Sequence, residues 1–108
     1  MIDDPIEVAA LMRKMEAHLP IPARATSALV RSLRHSEVKI PSTRHVSIEK
    51  VLYMGDEGGI GCTLKVPGQE ATAVVVSLAH LRLNTNHPIA HDVHAYQVER
   101  TRKLARGL

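Results

Sequence analysis

The hydrophobic period of this chain changes twice, and that constrains the fold more than any other feature. Up to about His35 the apolar residues recur at three- and four-residue steps. From Val38 to Leu81 they fall into β-branched, alternating runs, and from Pro88 onward they return to helical spacing. A chain of 108 residues with that succession is expected to form one α+β domain around one core.

The first helix is predicted over residues 5–19. Asp4 can cap it, Pro5 suits the first helical position, and Glu7 stands in the first turn. Val8, Leu11, Met12, Met15 and Leu19 form its apolar stripe, and Pro20 ends it. Leu19-Pro20-Ile21-Pro22 reads as a rigid connection. A second helix is predicted over 23–35, with Ala25, Ala28, Leu29 and Leu33 inward, so that the two make an αα-hairpin. Three strands are predicted at 45–54, 60–66 and 71–81, joined by turns at Gly55–Gly59 and Pro67–Glu70, as an antiparallel β-meander. In the middle run Ile60, Cys62, Leu64 and Val66 share one face. The third run, with Ala73-Val74-Val75-Val76 and Leu78-Ala79, is apolar on both faces and reads as a central or doubly covered strand. A C-terminal helix over 88–106 is expected to end at Gly107, using Ile89, Val93, Tyr96 and Leu104 as its apolar positions.

Composition narrows the function. There is no Phe or Trp and only two Tyr, so the core must be aliphatic and the chain cannot offer a run of aromatic platforms for unstacked bases. The single Cys62 forbids an internal disulfide, and the acidic start MIDDPIEVAA is unlike a cationic signal peptide. No apolar stretch approaches a membrane span, and the cytosol is the expected address. The formal charge of +3 favours anionic partners only mildly.

Several constellations invite a chemical reading. Gly55-Asp56-Glu57-Gly58-Gly59-Ile60-Gly61 is rich in glycine but leads into a strand and carries two acids that would repel phosphate, so it reads as a hairpin needing positive φ. His87, His91 and His94, with Asp92 between them and His80 upstream, have helical-turn spacing that could bind a divalent transition metal. No HExxH glutamate or CxxC pair accompanies them, and His87 also suits a helix cap. Cys62 alternates with apolar neighbours and reads as an inert core thiol. Ser77 and His80 lack an orienting acid. Arg24, Arg31 and Arg34 on the second helix, Lys39 and Arg44 beyond it, and Arg100, Arg102, Lys103 and Arg106 near the C-terminus could form an anion-binding surface. The bland alternative is that they complement helix dipoles and keep the surface soluble.

Three functions follow in order of preference. A non-catalytic protein-interaction or regulatory module acting as a homodimer comes first, because a strong fold pattern comes without a convergent acid, base, nucleophile or cofactor motif, and a doubly apolar strand needs cover. Nucleic-acid binding through helices 2 and 3 is the second. A metal-dependent enzyme using His87, His91 and His94 is the third.

Overall fold

A computed structural model describes residues 2–106; the predicted stop at Gly107 lies outside the described residues. The class is α+β, and the three predicted helices form: α1 (Pro5–Ala17), α2 (Ser27–Arg34) and α3 (Ala90–Ala105). Five strands, not three, make one sheet: β1 (Ile21–Ala25), β2 (His45–Tyr53), β3 (Ile60–Lys65), β4 (Val74–Ser77) and β5 (Leu81–Arg82). Their order is β4-β3-β2-β1-β5, every neighbouring pair is antiparallel, and the sheet curls around the core.

The α1 start follows from Asp4, whose carboxylate accepts from the backbone N–H of Ile6 at 2.8 Å and of Glu7 at 3.2 Å. The αα-hairpin is corrected. Pro20 and Pro22 hold the segment extended, and Ile21, Ala23 and Ala25 turn inward while Pro22 and Arg24 face out, so β1 stands between the two helices. The helix begins only after Thr26, whose Oγ1 accepts from Leu29 N at 3.3 Å. Pro22 is tolerated because β5 pairs only with Arg24 and Ala25, which leaves one side of Pro22 without a neighbouring strand.

The predicted meander survives as β2-β3-β4, with one irregularity and one break. The register of β2 on β3 shifts between Ile48 and Lys50, and this bulge at Glu49 lets Val46 and Ile48 on one side of it and Val51 and Tyr53 on the other all turn inward. The run predicted at 71–81 is interrupted. Ser77 Oγ accepts from Ala79 N at 3.2 Å and donates to the Gly58 carbonyl at 2.7 Å, which starts a 3₁₀ turn over Leu78–His80 and carries the chain to the far edge of the sheet as β5. The expectation of a central strand is therefore corrected: β4 is an edge strand, with Val74 and Val76 inward and Val75 52% exposed.

Val8, Leu11 and Met15 of α1 close one side of the core, with α1 packed against β2. Val93 of α3, with Ile89 before it, and Leu29 of α2 complete it, while Leu104, expected on the α3 stripe, is exposed. Among the described residues no helix is long and apolar enough to cross a membrane.

Candidate functional site

Of the four residues considered for a metal, His87 and Asp92 have separate partners and His91 and His94 are exposed. His87 lies just before α3, where its Nδ1 accepts from Ile89 N at 3.2 Å, and its ring stands edge-on to that of His18 with centroids 5.7 Å apart. Burial, and secondarily the charge of His18, lowers the His87 pKa. His91 and His94 are exposed on α3. Asp92 receives Lys14 Nζ from α1 at 2.8 Å, and that hydrogen bond and charge hold its carboxyl below the usual range. Among the described residues no group of three or more His, Cys, Asp or Glu side chains could hold a metal ion.

The two nucleophile candidates are similarly placed. Ser77 Oγ is committed to the Gly58 carbonyl and His80 is exposed. Cys62 is fully buried on the inward face of β3, and burial pushes its thiol up to about 12.

The cations considered for an anion surface divide into different settings. Arg31 and Arg34 are exposed in the last turn of α2. Arg102 pairs with Glu99 one turn earlier on α3, and Lys103 lines a groove of about 560 Å³ between α1 and α3. Arg100 is not a surface group: it is 4% exposed, and its Nη1 donates to Asp3 Oδ2 at 2.7 Å. Arg24 lies on a strand, not on helix 2, and its register brings together residues that spacing alone could not.

On β1, Arg24 lies directly opposite His45 of β2 on one side and Arg82 of β5 on the other. Directly opposed residues of antiparallel strands point to the same face. Here that is the outward face, because the adjoining positions Ala23, Ala25, Val46 and Leu81 are buried. The Arg82 guanidinium is held by the Ala79 and Leu81 carbonyls, at 2.9 and 2.8 Å, which fixes its position without cancelling its charge. The described ion pairs are Lys14–Asp92, Arg100–Asp3 and Arg102–Glu99, and none involves this row.

A second cluster, missed from sequence, ties the chain ends to the β2–β3 hairpin. Asp3 Oδ2 accepts from Arg100 and from Tyr53 Oη, the latter at 2.8 Å. Arg100 also donates to the Asp56 carbonyl, and Tyr96 Oη accepts from Ile60 N at 3.0 Å. The usable signal was Arg100 itself, a cation four residues beyond Tyr96 and seven beyond Val93 on the apolar stripe of helix 3. Among the described residues no buried side-chain nitrogen or oxygen lacks a partner, so the buried polar groups of this cluster satisfy one another.

Burial and the hydrogen bond to Asp3 push the Tyr53 hydroxyl from 10.0 up to about 12. In the unfolded chain Cys62 ionises near its ordinary 9.0, whereas the folded chain holds both protons to about 12. Folding thus favours the neutral forms, a contribution fully present below pH 9 and lost as pH rises toward 12. Urea midpoints are expected to fall steadily across that alkaline window, and the Cys62→Ala variant to fall less steeply; a midpoint independent of pH there would contradict the burial of these groups.

A comparison of the chain with models of known protein families, with curated proteins and with solved structures finds no match.

Proposed function

We propose that the chain is a non-catalytic interaction module that acts as a homodimer joined along β4. The observation that carries this reading is the character of that edge. From Ala71 to Ala79 there is no charged residue and no proline, the devices by which soluble proteins ordinarily protect an edge strand. β4 pairs only with β3, which leaves the other side of Val74–Ser77 without a strand partner among the described residues.

The outward face beside that edge carries exposed apolar groups as well, next to Thr63 and Lys50 in the row of Val75. Val75 is 52%, Leu52 41% and Met54 36% exposed. Met54 lies over Gly61, where that residue would otherwise carry a side chain, and Leu52 and Ser77 flank Gly61 in the sheet. Pairing β4 with its copy about a two-fold axis satisfies both free strand edges and brings the two apolar patches together. The single buried thiol suits a reducing compartment such as the cytosol. A metal-dependent reaction at His87, His91 and His94 draws no support from their placement, His87 bonded to Ile89 N and the other two exposed, whereas nucleic-acid binding gains from the cationic row and is taken up below.

Sedimentation of the wild-type chain is expected to give a mass twice the 11.9 kDa of the monomer. Val75→Glu, which places a carboxylate in the symmetric contact, is expected to give the monomer with an unchanged circular dichroism spectrum. A wild-type chain that stays monomeric at high micromolar concentration, or a Val75→Glu chain that stays dimeric, refutes the assignment.

A further inference from the structure

We propose that the row His45–Arg24–Arg82 is a binding site for the phosphate backbone of duplex nucleic acid. Like charges directly opposed across strands repel, and a sheet that sets Arg24 opposite Arg82, with neither in an ion pair among the described residues, carries a destabilising arrangement. A bound polyanion relieves it. Neutralising the row with phosphates removes the repulsion and releases the counterions condensed on the nucleic acid.

The distribution of acids points the same way. Between Ala17 and Ile48, a stretch that holds Arg24, Arg31, Arg34, Lys39 and Arg44, Glu37 is the one carboxylate, and from Ala71 to His91, around Arg82, there is none. The acids gather instead along the groove between α1 and α3, where Asp4, Glu7, Asp92 and Glu99 outweigh Lys14 and Lys103. Arg44 extends the row: it precedes His45, adopts φ 63°, and its carbonyl accepts from Ala25 N at 2.9 Å, so its backbone is anchored beside Arg24. Arg82 is already held by two carbonyls and gives up little freedom on binding.

The choice of a duplex over a single strand follows from the tyrosines. Tyr53 and Tyr96 pack against the core, and there is no Phe or Trp, so the row carries no tyrosine, phenylalanine or tryptophan platform for unstacked bases. Neighbouring strands lie about 4.8 Å apart, so the row spans roughly 10 Å, enough to meet adjacent phosphates but too shallow to read bases. Binding is therefore indifferent to sequence. It does not rest on the dimer, because β1 and β5 lie at the other end of the strand order from β4.

The test is fluorescence anisotropy of a labelled mixed-sequence DNA duplex titrated with the wild-type chain over a range of salt concentrations. Affinity is expected to fall with salt. Arg24→Gln combined with Arg82→Gln is expected to weaken binding at least about tenfold at low salt and to reduce the slope of log affinity against log salt by about 2, roughly 0.9 for each phosphate that is no longer neutralised. Because Arg82 also bonds the backbone, Arg24→Gln alone serves as the variant safe for folding, with a slope reduced by about 1, and Arg24→Lys with Arg82→Lys should retain the slope. Absence of binding at low salt overturns the proposal. So does a loss produced by Arg31→Gln with Arg34→Gln but not by the row variants, and so does tighter binding of the matching single strand or of polyglutamate than of the duplex.

Discussion

Replacing Asp3 by Ala is expected to lower the unfolding free energy by about 3–5 kcal/mol, the range for removing one partner of a buried ion pair. The side chains of Asp3 and Arg100 are each 4% exposed and meet at 2.7 Å. Without the carboxylate the guanidinium keeps its charge in a site that water barely reaches, and the Tyr53 hydroxyl loses its acceptor. The Lys14–Asp92 bridge between α1 and α3 makes the natural control. It has almost the same length, 2.8 Å, but its side chains are 56% and 43% exposed, so Lys14→Ala is expected to cost no more than about 1 kcal/mol. Urea unfolding of the two variants checks both values. A loss below about 1 kcal/mol for Asp3→Ala would mean that water reaches Arg100 and that the ion pair is not buried in solution.

The parts of this fold that were legible are those whose cause lies within a few residues. Asp4 and Pro5 announce α1, the alternation Ile60, Cys62, Leu64 announces β3, and the glycines of the 55–59 turn announce the hairpin. β1 was not legible, because Ile-Pro-Ala-Arg-Ala offers one large apolar residue and two alanines, a pattern that fits a helical stripe as well as an alternating strand. Its strand character comes from β2, which pairs with it from about twenty residues away. The run 71–81 misled for a related reason. Valines on both faces suggest a covered strand, yet Ser77 turns the chain aside after four paired residues and leaves Val75 in the open.

The candidate site shows the same division. Arg24, Arg82 and His45 stand far apart in the chain and share no spacing rule; only the antiparallel register aligns them. Helical spacing groups Arg24 with Arg31, whereas the sheet places it between two other basic side chains. His87, His91 and His94 had the more suggestive spacing, yet the first bonds Ile89 N ahead of α3 and the other two are exposed on that helix. The apolar edge at β4 and the basic row at β1 and β5 then lie on one outward sheet face, at opposite ends of its strand order. A dimer joined at β4 carries two such rows and would bind a long polyanion through both, with the steeper salt dependence that a doubled number of neutralised phosphates requires.

Gly59→Ala is expected to destabilise the chain by about 3 kcal/mol, through two effects that add at one atom. Gly59 has φ +66°, where a Cβ costs about 1–2 kcal/mol against the following carbonyl. The same Cβ would crowd the Tyr96 hydroxyl, its nearest neighbour, and stand 2.9 Å from Cζ and Nε of Arg100, so the two groups that meet at Asp3 Oδ2 would both have to shift. Gly55 separates the two effects. It has φ +81° with nothing within 4 Å of the added atom, so Gly55→Ala meets the backbone penalty alone and is expected to cost about 1–2 kcal/mol. Because Gly59→Ala and Asp3→Ala damage one network, their combination should cost less than the sum of the single losses by about 1 kcal/mol or more. Strict additivity in urea unfolding would show that the hairpin glycine and the buried ion pair act independently. Sub-additivity would show that the turn glycine and the Asp3 network beneath it are one coupled unit.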